Sequence, residues 1–362
     1  MLISIIGSGR NGSSLLARML DGPLDLFVHP VEERLITTFD DLIKRKKVLR
    51  NTVQNCREHC INDIDKNVST ILLEKYFHSS LCMLKNDHMN NSSVTKNIEQ
   101  FNIFQHMENG DYNISSFLPK YLESLGKHIL PTYEFKDYLF KTIETPYIDE
   151  YVRLFPNMKF IHLLRDPIAV CSSQKRSIMH NKMHPASYLG GDWLDCMMNK
   201  RWLPHARAIN KYINSENHIV VRYEDLVKNP TNEISRITKK FSLAMPIRPG
   251  FQTEFCDTDM DTIIYNPSKK GIKATTEVVD DFQKINNYDD ILTGREIELI
   301  KYLSEDFSSG FGYNYGEKTN FSHLLRSSIY LDKWDIKNCR TLKSMIKLPG
   351  AIIKRRKMLF SK

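Results

Sequence analysis

Residues 1–20, MLISIIGSGRNGSSLLARML, decide the fold of this chain. The apolar, β-branched residues 2–6 predict a buried strand, and the pattern from Ser13 to Leu20 predicts a helix. Between them, the glycine-rich residues predict a tight turn. This order of elements binds anions, because free backbone N–H groups and the positive end of the helix point to one place. We therefore predict a phosphate-binding segment at residues 7–14, which we call the glycine loop.

The glycine loop fits two nucleotide-binding patterns and completes neither. Gly7, Gly9 and Gly12 have the G-x-G-x-x-G spacing of a dinucleotide site, and two glutamates follow about twenty residues later. Gly7 and Gly12 also have the spacing of a P-loop, but Ser13 stands where that motif has its lysine. Arg10 offers a planar, permanently charged fork to phosphate oxygens instead. A tight turn with an exposed arginine is the alternative interpretation.

The composition is that of an ordinary globular protein. The chain has 362 residues, of which 41% are hydrophobic and 26% charged, and its net charge is +8. This mild basic excess suits an anionic cofactor or substrate, and no nucleic-acid-binding module is present. Seven dispersed cysteines, and a first strand that leaves no room for a signal peptide, predict a cytoplasmic protein. Cys56, His59 and Cys60 have no second ligand cluster after them, so we expect no metal site.

The distribution of apolar residues predicts an α/β fold with three layers, α/β/α, around a central, mostly parallel sheet. Residues 35–130 have helical periodicity and are predicted to form an insertion that binds the acceptor or acts as a lid. A helix containing two tryptophans is predicted at 190–213, kinked or broken at Pro204. After the first strand, further strands are predicted at 24–28, 138–142, 159–164 and 218–226, the last of which ends in polar residues.

The chain is predicted to have one main domain, residues 1–315, followed by a basic C-terminal extension, residues 316–362. Segment 346–360 of the extension mixes basic and apolar residues, as do segments that lie on an anionic membrane or on a protein partner. A solubilising end without a partner is the alternative. The sequence makes no prediction of the oligomeric state.

A second candidate anion site follows the strand predicted at 159–164. Arg165 is at the carboxyl end of this strand, where open α/β sheets bind their ligands. Asp166 and Pro167 are suited to the N-cap and the first position of a helix, so we assign Asp166 a structural role. Ser173 is two helical turns further on, on a face that can turn back toward the same crevice.

Three segments together resemble the sulfotransferase family that uses 3′-phosphoadenosine 5′-phosphosulfate (PAPS). Residues 5–16, IIGSGRNGSSLL, resemble the loop of that family for the 5′-phosphosulfate. Residues 160–173, FIHLLRDPIAVCSS, resemble its 3′-phosphate element. Residues 221–230, VRYEDLVKNP, resemble the segment whose tyrosine lies by the adenine. The resemblance frames residues 2–315 and implies the P-loop-like sulfotransferase fold.

The resemblance also implies a set of donor-binding residues. PAPS has anionic groups at both ends of its nucleoside and needs two anion sites, whereas a dinucleotide enzyme has no obvious use for the second. A basic loop that closes on the 3′-phosphate in some members resembles Lys269, Lys270 and Gly271. The other implied donor-binding residues are Ser8, Gly9, Arg10, Asn11, Gly12, Ser13, Ser14, Arg165, Ser173 and Tyr223.

The implied reaction is in-line transfer of a sulfuryl group to a hydroxyl or amine, without a metal. Arg10, the loop amides and Lys141 are the candidates that stabilise charge on the leaving phosphate, although Lys141 also suits an ordinary strand end. The small-molecule branch of the family has a Lys-Thr-His pattern, whereas residues 141–144 here are KTIE. The protein-tyrosine and carbohydrate branches of the family have a glutamate after the second strand, so the resemblance assigns the general base first to Glu33 or Glu32, then to Glu144, and last to His29.

The acceptor is expected to be a small molecule or a glycan, either a carbohydrate or another hydroxylated metabolite.

Glu32 and Glu33 are equally compatible with the first turn of a helix, where acidic residues interact favourably with the helix dipole. Two other enzyme classes remain as alternatives: a P-loop nucleotide-dependent phosphotransferase and an NAD(P)-binding oxidoreductase. A non-catalytic binding module recruited to membranes by the basic extension is a third.

Overall fold

The computed structural model describes residues 1–21, 25–36, 114–129, 131–180, 193–246 and 291–316, together with Ile353. These residues fall into two compact units. The first unit takes its residues from segments 1–6, 12–163 and 213–278 of the chain. The second takes its residues from segments 7–11, 164–212 and 279–362. Most of the predicted insertion and of the C-terminal extension lies outside the described residues.

A five-stranded sheet organises the described part of the first unit. Its spatial order is β2-β3-β1-β4-β5, and the pairings of β1 with β3, β1 with β4 and β2 with β3 are parallel. Because parallel strands direct their carboxyl ends to one edge, the ends of β2 and β3 lie side by side. The strands are β1 (Leu2–Ile6), β2 (Leu26–Glu32), β3 (Asp137–Thr142), β4 (Lys159–Leu164) and β5 (His218–Arg222).

Helices follow these strands, as an α/β sequence requires. A π turn, Met198–Trp202, connects two of them, and short 3₁₀ turns cover Thr145–Tyr147 and Ser309–Phe311. The helices are α1 (Ser13–Leu20), α2 (Ile114–Ile129), α3 (Ile148–Leu154), α4 (Pro167–His180), α5 (Trp193–Met197), α6 (Leu203–Tyr212), α7 (Tyr223–Lys228), α8 (Pro230–Phe241) and α9 (Gly294–Ser308).

Helices cover both faces of the sheet in the first unit. Side chains alternate between the faces along each strand, and one set packs in a single apolar core with α1 and α8. The alternate set faces α2 and α3: a Cβ on Gly126 would lie 3.1 Å from the ring of Phe27, and the rings of Phe140 and Tyr151 are 6.3 Å apart. These two helical layers around a parallel sheet confirm the predicted three-layer α/β class.

The second strand differs from its predicted bounds. The sequence predicts 24–28, whereas β2 runs from Leu26 to Glu32 and contains Pro30. The pairing of β2 with β3 shifts between Val28 and Glu32. Proline has no N–H to donate, so the ladder is interrupted there and resumes after the irregularity. The extension places both candidate glutamates at the strand end, next to β3.

The second unit is helical in its described part. Trp193 and Trp202 are fully buried, as core residues would be. The ion pair of Lys175 in α4 with Glu296 in α9 has an N–O distance of 2.7 Å and is almost completely buried. Pro204 is the second residue of α6, and the irregularity in this helical stretch is the π turn directly before α6.

Candidate functional site

The turn of the glycine loop lies where the sequence predicts, between the end of β1 at Ile6 and the start of α1 at Ser13. Gly9 and Arg10 have φ angles of 78° and 57°. For arginine, the left-handed region is an uncommon conformation that proteins keep mainly at functional positions. This local backbone sets the direction of the Arg10 side chain.

In the second unit, Arg10, Arg165 and Ser173 come together; we call them the arginine–serine cluster. Arg10 Nε donates a hydrogen bond to Ser173 Oγ at 3.3 Å. Arg165 Nη1 donates to the carbonyl oxygen of Arg10 at 3.0 Å. Two hydrogen bonds therefore link the three residues, all of which are half-buried. Such a set of donors is suited to a phosphate or sulfate group.

The strand end before α4 is fixed by a side-chain cap. Asp166 Oδ1 accepts the backbone N–H of Ile168 at 2.7 Å and of Ala169 at 3.2 Å. The assignment of Asp166 to the N-cap of this helix is therefore confirmed. Because the cap fixes the start of α4, it also fixes the direction of Ser173, two turns later.

In the first unit, Tyr223 packs against Gly12. The φ angle of Gly12 is 92°, and a Cβ at this position would overlap the Cδ2 and Cε2 atoms of the Tyr223 ring. Both the backbone conformation and the contact therefore require glycine. The tyrosine that the family resemblance assigns to the adenine thus borders the last glycine of the loop.

Lys141 lies at the end of β3 and reaches the start of α1. Its side chain is 8% exposed, and its Nζ donates to Ser14 Oγ at 3.1 Å. The ammonium group is thus placed beside the first turn of a helix, where Ser13 leaves the glycine loop without a lysine of its own. A strand-end lysine with this contact brings a positive charge to the glycine loop.

Glu33 and His29 form a buried pair at the end of β2. His29 Nε2 lies 3.2 Å from Glu33 Oε1, and neither side chain is exposed. The Tyr121 hydroxyl lies 3.2 Å from the same nitrogen, and the backbone N–H of Glu33 donates to the carbonyl oxygen of Lys141 at 2.8 Å. The carboxylate is thereby held next to the strand that contains the lysine.

The other two candidate glutamates have different surroundings. Glu32 is partly exposed and pairs with Arg34 at 2.8 Å. Glu144 is buried, and its Oε2 accepts the Tyr151 hydroxyl and, at 3.2 Å, the backbone N–H of Ile36. Burial, and after it the Glu144 carboxylate, raise the pKa of Tyr151 well above its usual range. These contacts suit a structural role for Glu144.

The remaining predicted donor-binding residues are partly described. Ser8 and Asn11 are buried within the glycine loop. Lys269, Lys270 and Gly271 lie outside the described residues. Sequence reasoning gives no role to Tyr121 or to the indole of Trp202, whose Nε1 donates to the carbonyl oxygen of Arg165 at 3.0 Å. No local pattern marks these contacts, because their partners are distant in the sequence.

Two features of the described residues bear on metals and membranes. Within these ranges, no three His, Cys, Asp or Glu side chains are arranged as a metal site would require. None of the helices in the same part of the chain has the length and apolar character needed to cross a membrane.

Several solved structures resemble this chain, at low identity. A sulfotransferase domain from the curacin biosynthetic pathway is 17% identical, with 87% of this chain and 98% of that chain covered and a TM-score of 0.47. A sulfotransferase domain from the Synechococcus PCC 7002 olefin synthase is 18% identical, with 87% and 95% covered and a TM-score of 0.45. Sulfotransferase STF9 from Mycobacterium avium is 11% identical, with 86% of this chain and 77% of that chain covered and a TM-score of 0.40.

The TM-scores of these three structures lie below 0.5, so the family assignment depends on the sequence match instead. No curated protein matches the chain in sequence. The family model described as "Sulfotransferase family" matches residues 3–246, which is more than half of the chain. This range contains the glycine loop, the arginine–serine cluster, Lys141 and Tyr223, and the chain therefore belongs to the sulfotransferase family.

Proposed function

We propose that this protein transfers a sulfuryl group from PAPS to a hydroxyl or amine of a small-molecule or glycan acceptor. The observation that supports this proposal most strongly is the arginine–serine cluster, in which Arg10 donates to the hydroxyl of Ser173 and Arg165 donates to the backbone carbonyl of Arg10. Arg10 belongs to the predicted 5′-phosphosulfate loop, and the other two residues belong to the predicted 3′-phosphate element. Direct contact between these two elements suits a donor with anionic groups at both ends of its nucleoside.

The residues present fit such a donor chemically. Arg10 and Arg165 offer guanidinium groups that form bidentate hydrogen bonds with phosphate or sulfate. Lys141 and Ser14 offer an ammonium group and a hydroxyl at the start of α1, whose N-terminal end favours anions. We assign Arg10, Lys141 and Ser14 to the phosphosulfate, Arg165 to the 3′-phosphate and Tyr223 to the adenine.

When bound, PAPS supplies an activated sulfuryl group on a phosphate leaving group. Arg10 and Lys141 stabilise the negative charge that develops on the leaving phosphate oxygen, because their positive groups are fixed before the reaction begins. Lys141 is buried at 8% exposure, so its charge is less screened by water than that of a surface lysine.

Glu33 takes the proton from the acceptor in the proposed reaction. The His29 imidazole lies against its carboxylate, and the backbone contact with Lys141 fixes its main chain, as a positioned base requires. Glu32 is a weaker candidate, because Arg34 pairs with it at the surface. Glu144 is also a weaker candidate, because Tyr151 and the Ile36 N–H bind its carboxylate.

A P-loop phosphotransferase is the second candidate function. The contact that favours it is the hydrogen bond from Lys141 to Ser14, since a P-loop also combines a lysine with a hydroxyl at this place. The two candidates differ in their donor: one requires PAPS and the other a nucleoside triphosphate with Mg²⁺.

A screen with ³⁵S-labelled PAPS tests the proposed function. The purified protein is incubated with pools of phenols, sugars, hydroxylated lipids and amines, and labelled products are separated by chromatography. We expect the label to enter at least one pool, and Glu33→Gln to abolish its transfer. A matched screen with γ-labelled ATP and Mg²⁺ is the control. Labelling from ATP, with none from PAPS, would favour the phosphotransferase.

A further inference from the structure

A π turn lies between α5 and α6 in the second unit, and the sequence explains its position. Pro204 has no N–H to donate, and in a regular α-helix its ring would clash with the carbonyl four residues earlier. In the π turn Met198–Trp202, the N–H of Leu203 donates to the carbonyl of Met198, five residues back. This wider turn accommodates the proline. Single π turns in helices occur frequently at functional sites.

Trp202, the last residue of this turn, bonds to the backbone of Arg165. Its side chain is fully buried, and its Nε1 donates to the carbonyl oxygen of Arg165 at 3.0 Å. Arg165 lies between the end of β4 and the start of α4. The first carbonyl of α4 to accept a helical N–H is that of Asp166, which bonds to Val170 at 2.9 Å. The Arg165 carbonyl is therefore outside the helical hydrogen bonds, and the indole N–H gives it a donor.

Further hydrogen bonds connect the side chain of Arg165 to Arg10 and Ser173. Arg165 Nη1 donates to the carbonyl of Arg10, and Arg10 Nε donates to Ser173. Three successive hydrogen bonds thus begin at the indole of Trp202 and end at the hydroxyl of Ser173, all within the second unit. A shift of the Arg165 backbone would move the guanidinium group that the proposed function assigns to the 3′-phosphate.

We propose that Trp202 is a positioning residue for the donor site, which sets the affinity for the 3′-phosphate by fixing the backbone of Arg165. This inference rests on the proposed function, because it takes Arg165 as a ligand of the 3′-phosphate. Trp202 acts through Arg165, so removal of the indole N–H lowers the affinity for nucleotides that have a 3′-phosphate. The affinity for nucleotides without this phosphate stays the same.

Trp193 provides a matched control. It is also fully buried and belongs to the same unit, but among the described residues its Nε1 has no hydrogen-bond partner. Its ring instead lies 5.9 Å from Lys175 Nζ. Replacement of either tryptophan by phenylalanine makes the same change in side-chain volume, because a buried indole becomes a benzyl group. Only Trp202→Phe also removes a hydrogen bond to Arg165, so a loss of affinity that is specific to PAP and to this variant reports on that bond.

The test is calorimetric titration of the wild-type chain, Trp202→Phe and Trp193→Phe with adenosine 3′,5′-bisphosphate (PAP) and with 5′-AMP. For Trp202→Phe we expect a Kd for PAP about tenfold higher, which corresponds to about 1.4 kcal/mol, and a Kd for AMP within about twofold of wild type. For Trp193→Phe we expect both values within about twofold of wild type. This pattern separates positioning of Arg165 from general damage to the fold, which would weaken both nucleotides.

Three results would overturn the role of Trp202 while leaving the proposed function intact. They are unchanged PAP binding by Trp202→Phe, an equal loss for PAP and AMP, and an equal loss in both tryptophan variants. If the wild-type chain does not bind PAP, the proposed function fails and the role of Trp202 fails with it. If Trp202→Phe does not fold, benzothienylalanine incorporated at position 202 keeps the shape of indole without the N–H. The changes in the Kd for PAP and for AMP then test the role of Trp202 in the same way.

Discussion

Lys141 shows how a residue outside the glycine loop gives it a charge that its own sequence lacks. The ammonium group reaches Ser14 from the end of β3, and the side chain is buried. A positive group fixed in this way acts mainly in the transition state, when charge develops on the leaving group.

Replacement of Lys141 by methionine tests this role. We expect Lys141→Met to lower kcat for sulfuryl transfer about 100- to 1,000-fold, because a fixed transition-state donor is lost. The affinity for PAP should change far less. Lys127→Met, at an exposed position in α2 where the lysine pairs with Glu123, is the control and should leave kcat unchanged. Steady-state kinetics with labelled PAPS measures both variants, and an unchanged kcat in Lys141→Met would remove this residue from the mechanism.

Gly12 has two independent reasons to be glycine. Its φ angle of 92° disfavours any side chain, and a Cβ would overlap the ring of Tyr223. We expect Gly12→Ala to lower the free energy of unfolding by about 2 kcal/mol or more, from backbone strain and displacement of the ring. Urea denaturation measures this change. Gly294→Ala is the matched control, because a Cβ on Gly294 meets nothing within 4 Å. Equal stability of the two variants would contradict the proposed packing of Tyr223.

At the scale of elements, a buried ion pair joins α4 to α9. Lys175 and Glu296 are 2.7 Å apart, with side chains only 2% and 7% exposed. Glu296 also belongs to the capping box at the start of α9, in which it exchanges hydrogen bonds with Thr293. A buried pair of this kind adds little stability by itself, but loss of one partner leaves a buried charge uncompensated.

Replacement of Glu296 by glutamine isolates the charge, because glutamine can still complete the capping box. We expect Glu296→Gln to lower the free energy of unfolding by about 3 kcal/mol, since the Lys175 ammonium group loses its counter-charge. The double variant Lys175→Met/Glu296→Gln should recover a large part of this loss. Chemical denaturation measures all three proteins. A single variant as stable as the wild type would show that the buried pair does not matter for stability.

The elements themselves differ in how far the sequence predicts them. β4 has exactly the predicted bounds, 159–164, because its apolar run is continuous and Pro167 marks the next helix. β2 extends four residues beyond its predicted end, since the irregular pairing around Pro30 lets an interrupted strand continue. The π turn before Pro204 was predicted only as a kink or break, because proline indicates a disruption without its geometry.

For the whole molecule, buried histidines make stability depend on pH. Burial lowers the pKa of His205 to about 3 and that of His218 to about 4. Both values lie below the usual value of about 6.5 in an unfolded chain. The unfolded state therefore binds more protons between these limits. The stabilising contribution is fully present above pH 6.5 and is lost as the pH falls through the folded-state pKa values.

We therefore expect the Tm to fall between about pH 6.5 and pH 4, as the unfolded state takes up protons. His205→Gln should have a shallower fall over this range, because one titrating group is absent. Its Tm at pH 8 gives the baseline cost of the substitution. Differential scanning calorimetry at a series of pH values measures both proteins. Equal slopes for the variant and the wild type would contradict the role of this histidine.

At the same scale, the sequence predicts the site in part. The pairing of Arg165 with the glycine loop follows from strand ends that meet at one edge of a parallel sheet. The choice of the general base among the glutamates does not follow from the strand ends. It depends on partners such as Tyr121, Arg34 and Tyr151, which no local pattern indicates. The contact of Tyr223 with Gly12 was beyond prediction for the same reason, although the family resemblance identifies the tyrosine.

The central claim is that Arg165 and the glycine loop serve a nucleotide with a 3′-phosphate. Calorimetric titration of PAP into the wild-type chain, Arg165→Ala and Arg176→Ala tests it most directly. Arg176 is exposed on the same helix that follows Arg165, so it controls for a general loss of positive charge. We predict that the wild type binds PAP, that Arg165→Ala binds it about 10- to 100-fold more weakly, and that Arg176→Ala is unchanged. Equal affinity of the wild type and Arg165→Ala, or no binding of PAP by the wild type, would contradict the account.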